Sequence, residues 1–491
     1  VGDFDAAHKK YQESLEFQPN YWRALMNIGL LYQIKNDHTQ AEKFFVQAQN
    51  TAPNKYQTNY NLGRFYLLNN FPEKAISYLQ NSLDLKPDFF EAATLLSDAF
   101  SEKNEVNKAI YFIDRAINLQ PNHTGAIGNK AILLESLGRI DDAIALLKSH
   151  PNDEKLNLDT AQLEVKIGDI DAATPKFIRA LKNPSAHTLN AYLMSSCYTE
   201  KIDQDFLIAQ YKKINTILKN SPRNKSSKNK NTKKRIGFIS ADLCAHAVAY
   251  FIEPLLQNIN KSKFDIYVFS ATLKPDHITE RLRKQSPQWF DIANLNSEQA
   301  AECIESQNIE ILIDLSGHRA NNRLVVLALK PAPVIATWLG YLATTGLEAV
   351  DYRIVDSFTD PIGLTENQHT EKLIRMMGTQ WCYLPQPETP SVSPLPASSN
   401  GYITFGSYNQ CAKLSTSCLK NWALLLTSTP DSRIVFFNIP EGRARQRIEE
   451  IFNILNVSSI RLKFQSRLNW KEYFNSFSQA DIALDSWPYT G

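Results

Sequence analysis

Several short apolar runs beyond residue 235 each end on residues able to bind or react. The run 236–240 closes on Asp242 and, a turn later, His246. The run 309–315 delivers Ser316, Gly317, His318, Arg319, Asn321, Asn322 and Arg323, and the run 334–338 is followed by Gly340, Tyr341, Thr344, Thr345 and Gly346. Further on, 402–405 leads to Asn409, Gln410 and Lys413, and 481–484 leads to Asp485, Tyr489, Thr490 and Gly491. An imidazole can move a proton near neutral pH, while lysine, amide groups and backbone N–H can hold an anion. Singly, each has a bland reading: a hydrogen-bonded structural histidine, a turn glycine, an aspartate that caps a helix. Lys413 stands apart. It lies before Ser415 and Ser417 near a helix start, where a cation is disfavoured unless an anion sits there.

Such residues act together only if the runs lie side by side. Runs 236–240, Phe264–Ser270, 309–315, 334–338 and 352–355 read as short buried strands, with helices over 250–258 and Ser297–Ser306. That alternation predicts a parallel, doubly wound α/β sheet. After the Pro- and Ser-rich stretch 385–399 the pattern restarts, with strands at 402–405, Arg433–Phe437, 461–464 and 481–484 and helices at 417–425, 444–455 and 470–478. Ligands of open parallel sheets sit at the carboxyl ends of the strands, where the residues named above fall. Two such units facing each other form the usual sugar-nucleotide transferase architecture. Neither GxGxxG nor GxxxxGK[ST] occurs, which argues against dinucleotide and P-loop readings.

The first part of the chain is built differently. Pro19, Pro53, Pro87 and Pro121 recur every 34 residues, as do Ala7, Ala41, Ala75, Ala109 and Ala143. Gly29 and Gly63, Tyr32 and Tyr66, and the large apolar set Tyr11, Phe45, Leu79 and Ile113 share that spacing. A 34-residue period is the signature of the tetratricopeptide repeat, a helix–turn–helix unit that stacks into a solenoid and presents a protein-binding surface. The repeat fades after Ala143, where Pro151 and Pro184 leave the grid. The expected organisation is a superhelix over 1–150, degenerate repeats or capping helices over 151–218, a basic linker over 219–235, a first α/β lobe over 236–384, an interlobe linker over 385–399 and a second lobe over 400–491.

Composition adds limits. A net charge of +2 gives no general attraction to nucleic acid, and the eight Lys/Arg of 219–235 read as a solvated linker. No apolar stretch approaches the ~18 residues of a membrane span. The six cysteines form no CxxC pair and read as buried reduced thiols of a cytoplasmic protein, nucleocytoplasmic in a eukaryote. The chain has no initiator Met, and its first helix reads as the second half of a repeat, so a cut N-terminus is expected.

The motifs then add up to a resemblance. Arg235-Ile-Gly-Phe-Ile-Ser-Ala-Asp242 with His246, Ile309-Glu-Ile-Leu-Ile-Asp-Leu-Ser-Gly-His318 with Asn321-Asn-Arg-Leu324, and Trp338-Leu-Gly-Tyr341 with Thr344-Thr-Gly346 carry it. So do Lys330-Pro-Ala-Pro333, Val350 to Asp356, Phe405-Gly-Ser-Tyr-Asn-Gln410 with Lys413, and Asp481 to Tyr489. In this order the chain resembles the tetratricopeptide-bearing protein O-linked N-acetylglucosamine transferases, glycosyltransferase family 41, within the SPINDLY-type and bacterial branch. The resemblance implies a GT-B fold of two Rossmann-like lobes behind an α-helical solenoid that recruits protein acceptors. It implies inverting, metal-independent sugar transfer to Ser/Thr, with a nucleotide-sugar co-substrate and no cofactor.

The same resemblance assigns roles. His246 falls on the family's active-site histidine and Lys413 on the lysine at the donor diphosphate, with Gln410 a neighbouring donor contact. Gly340, Tyr341, Thr344, Thr345 and Gly346 match the loop beside the sugar, Tyr489 joins the donor side, and His318 and Asp242 are candidates for the acceptor or sugar side. Leu342 stands where the family has Pro, and Gln307 where relatives carry an acid. The family continues past Pro-Tyr-x-Gly, so the second lobe is expected to be incomplete. Three readings stay open: transfer of N-acetylglucosamine from UDP-GlcNAc, a SPINDLY-like transfer of fucose from GDP-fucose, and a repeat scaffold without catalysis.

Overall fold

The computed structural model describes residues 4–218, 233–386, 389–466 and 468–490. Most of the basic segment, 219–232, and positions 387–388 of the interlobe linker lie outside the described residues. The chain divides into two compact units, Val1–Leu163 and Glu164–Gly491, so the break falls later than the expected 150.

In the first unit the 34-residue period becomes a register of helix starts. Helices begin at Phe4, His38, Pro72, Val106 and Ile140, and their partners at Trp22, Tyr56, Phe90 and Thr124. The alanine column explains the packing, since Ala41, Ala75, Ala109 and Ala143 have no exposed surface. A Cβ on Gly29 would come within 2.9 Å of the Phe45 ring, and one on Gly63 within 2.8 Å of Leu79. The small residue of one helix thus admits the large residue of the next. A further column closes each turn in the left-handed region: Asn36, Asn70, Asn104 and Gly138, at φ 59°, 62°, 59° and 77°. Asparagine and glycine tolerate that conformation best.

The second unit opens with helices rather than strands. Gly168, at φ 78°, and the cap Asp169 repeat the turn chemistry of the solenoid ahead of helix Ile170–Ala180. Helices Ala186–Ser196 and Gln204–Ile217 follow. The first sheet comprises β1 (Lys234–Ser240), β2 (Phe264–Ser270), β3 (Gln288–Asp291), β4 (Ile311–Asp314), β5 (Val334–Thr337), β6 (Tyr352–Asp356) and β7 (Lys372–Met376), in the order β3-β2-β1-β4-β5-β6-β7. Every pairing is parallel. The second sheet holds β8 (Thr404–Ser407), β9 (Arg433–Phe437), β10 (Leu462–Gln465) and β11 (Ile482–Leu484), in the order β10-β9-β8-β11, again parallel.

The sequence missed β3 and β7. Both are edge strands, and their exposed charged residues, such as Lys372, break the apolar run that marks a buried strand. All six cysteines are free thiols, but only Cys411 and Cys418 are buried; Cys197, Cys244 and Cys303 are half-buried and Cys382 is exposed, which corrects the expectation of burial throughout.

Candidate active site

The first sheet reverses its winding between β1 and β4, and the loops leaving their carboxyl ends meet there. Asp242 and His246 leave β1; Arg319 leaves β4. Arg319 donates from Nε to Asp242 Oδ2 (3.1 Å) and from Nη2 to His246 Nε2 (2.6 Å). His246 is also the N-cap of helix Ala247–Asn258, where its Nδ1 faces the Val248 N–H at 3.2 Å. Burial first, and then the Arg319 charge, hold the imidazole below its ordinary pKa, while Asp242 pulls it back. A neutral ring is the form that can accept a proton.

The second sheet supplies the cation. Its winding reverses between β8 and β11. After β8, Gln410 is exposed and starts the short turn Cys411–Lys413; Ser415 then caps helix Thr416–Ser428 by accepting from Cys418 N. Lys413 Nζ donates to Thr490 O (2.8 Å) and sits 4.7 Å over the Tyr489 ring. Burial lowers its pKa, Asp485 raises it and Arg319 of the first lobe lowers it further. Tyr489 packs edge-on against Tyr198 at 5.4 Å, and both rings feel the Arg319 charge. Of the predicted residues, Asp242 and His246 therefore contact one guanidinium, while Lys413 and Tyr489 feel its charge.

The 340–346 loop is a different matter. Tyr341 is buried, and its hydroxyl meets Tyr211 Oη (2.6 Å) and donates to Leu193 O (3.0 Å). Thr344 and Thr345 are buried on Glu371: Thr344 Oγ1 and Thr345 N donate to its carboxylate at 2.6 and 2.7 Å, and Thr345 Oγ1 bonds it too. A Cβ on Gly340 would meet Leu315 O at 1.9 Å, and one on Gly346, at φ 71°, would meet Tyr211 O at 2.3 Å. Arg353, itself buried, donates to Tyr341 O and Ala343 O. These side chains hold the loop from beneath. What the loop turns outward is Leu342 and, partly, Ala343.

His318 is buried as well. It is 1% exposed, with Nδ1 2.6 Å from the Asn190 amide and Nε2 2.9 Å from Thr345 O. Its ring lies between those of Tyr211 and Tyr341. Burial pushes its pKa down to about 4, against the Thr345 carbonyl and Glu371. It joins the β4 loop to the preceding helices.

Sequence reasoning named Arg319 only as a strand-end residue and gave no role to Tyr198, Glu371 or Asn190. Strand-end position was the one available signal for Arg319. Asn190 and Tyr198 had none, because their partners lie more than a hundred positions away.

Comparison with known proteins supports the fold. Residues 181–383 match the model of glycosyl transferase family 41, and residues 23–55 and 56–89 match that of the tetratricopeptide repeat. The chain thus carries a glycosyl transferase family 41 match behind tetratricopeptide repeats. It is 40% identical over 263 residues to the probable UDP-N-acetylglucosamine--peptide N-acetylglucosaminyltransferase SPINDLY of Arabidopsis thaliana, covering 52% of this chain and 29% of that protein. The SPINDLY protein of Petunia hybrida is 38% identical, covering 52% of this chain and 28% of the relative. The match thus spans less than a third of these relatives' length. An O-GlcNAc transferase mutant of Thermobaculum terrenum shares the fold, with TM-score 0.67, 23% identity and coverage of 89% and 79% of the two chains. Among the described residues, no helix is long and apolar enough to cross a membrane.

Proposed function

We propose that the chain transfers N-acetylglucosamine from UDP-GlcNAc to Ser or Thr hydroxyls of protein acceptors, with inversion and without a metal. The observation that carries this reading is the Lys413 ammonium at the end of β8, acting electrostatically with the β1–β4 junction that holds His246. Departure of the nucleotide diphosphate builds negative charge. Lys413 and the N–H groups at the start of helix Thr416–Ser428 are the groups to meet it. His246, held neutral, assists removal of the acceptor hydroxyl's proton. The solenoid recruits the acceptor protein. The SPINDLY names of the curated relatives support the donor.

The test measures nucleotide release and sugar transfer to protein from UDP-GlcNAc and from GDP-fucose. Release of UDP with N-acetylhexosamine on Ser/Thr is expected. Release of GDP with fucose would replace the donor assignment, and no transfer from either would leave a repeat scaffold.

A further inference from the structure

We propose that Arg319 is a positioning residue for this transfer: it clamps His246 through Nε2 in the free enzyme and releases the ring when an anionic leaving group draws the guanidinium toward Lys413. The inference rests on the transferase reading for its second half only. Its first half rests on geometry. A neutral imidazole has one in-plane lone pair, yet both nitrogens of His246 face donors, Arg319 Nη2 at 2.6 Å and the Val248 N–H at 3.2 Å. The shorter contact claims the lone pair at Nε2. The ring hydrogen then sits on Nδ1 and points at another N–H, at a helix N-terminus that also disfavours a cation. The arrangement is unfavourable while Arg319 stays, and it occupies the nitrogen that would take an acceptor's proton.

Release has a route. The Arg319 side chain is 30% exposed, is tethered through Nε to Asp242, and acts electrostatically on Lys413 in the other lobe. A diphosphate between two cations makes stronger hydrogen bonds to a guanidinium than a neutral imidazole can. The charged groups acting on the His246 ring are Arg319 from the β4 loop and Asp242 from the β1 loop. Asp276, at the start of the neighbouring helix, takes the Ala245 N–H instead of the ring.

The test follows the His246 imidazole by nuclear magnetic resonance on the complete chain with isotope-labelled histidine, assigned through His246→Gln. Arg319→Met should raise the His246 titration midpoint by about one pH unit and shift its Nε2 resonance, with Arg319→Lys in between. An Arg319→Met titration that superimposes on wild type would overturn the clamp. Inorganic pyrophosphate added to wild type should move the Nε2 resonance toward its Arg319→Met position and leave that variant nearly unchanged. Pyrophosphate that binds without moving it, or fails to bind, would overturn the release. If neither UDP nor GDP is ever released, the transferase reading fails while the titration still decides the clamp.

Discussion

His318 makes the acid sensitivity of the β4–β5 region calculable. Its ordinary pKa is 6.5, and in the fold burial pushes it down to about 4. Above pH 6.5 the ring is neutral folded or unfolded, so its contribution does not vary. Below that the unfolded chain takes up a proton that the folded chain refuses. Stability should then fall by about 1.4 kcal/mol per pH unit until the folded value is reached. From pH 7 to pH 5 this amounts to about 2 kcal/mol, roughly a 30-fold rise in the opening equilibrium. Asp314, in the same region, is raised to about 6 by burial and works with the opposite sign, gaining stability as pH falls through that value. The bare pH profile of the wild type therefore mixes the two. The difference between wild type and His318→Gln isolates the histidine, because Asp314 is common to both. Hydrogen exchange of β4 and β5 amides, corrected for intrinsic rates, gives the opening free energy at each pH. The variant's offset from wild type should shrink by about 2 kcal/mol between pH 7 and pH 5. A constant offset would mean that His318 takes its proton inside the fold, and the structural role drawn from its burial would fall.

Lys413→Ala should lower nucleotide release on the order of a hundredfold or more with an unchanged unfolding midpoint, since its ammonium donates to Thr490 O and lies over the Tyr489 ring at the site; release at the wild-type rate would refute the role. Leu79→Ala should destabilise the first unit by about 2–5 kcal/mol in urea unfolding, because Leu79 has no exposed surface and fills the gap opposite Gly63. Gly346→Ala combines a left-handed φ with a 2.3 Å approach to Tyr211 O, so its thermal midpoint should drop by several degrees. Removing residues 1–150 should sharply reduce transfer to protein acceptors and leave nucleotide binding in place, as titration with UDP and GDP would show.

The solenoid was legible because its rule is local and repeated. Ala41, Ala75 and Ala109 sit in one environment copied along the chain, and spacing alone exposes it. The left-handed column Asn36, Asn70, Asn104 and Gly138 was equally available, but two residue types share it, so it does not stand out as an identity. In the lobes, strand-end reading led to the loops at the carboxyl ends of the parallel strands, where such folds bind ligands. It could not tell which way each side chain points. His246 and His318 look alike in sequence, one after β1 and one after β4. The first caps a helix and meets a guanidinium; the second is closed in by Asn190, Tyr211 and Tyr341.

That difference has a physical origin in the helices before the first sheet. The 34-residue code fails after Ala143 because the later helices no longer pack only on a neighbouring repeat. Asn190 and Tyr211 bond the first lobe, and Asn215 Nδ2 donates to Gly346 O at 2.6 Å. Glu200 accepts from Ser415 and Ser417, and Arg443 pairs with Asp169, on the second lobe. A helix that must satisfy a sheet's loops on one side cannot keep the alanines and large apolar residues that a repeat demands there. The loss of the period is therefore itself a readable signal. It marks where the chain stops packing on itself and begins to hold the site, and it explains why the second compact unit starts at Glu164 rather than at β1.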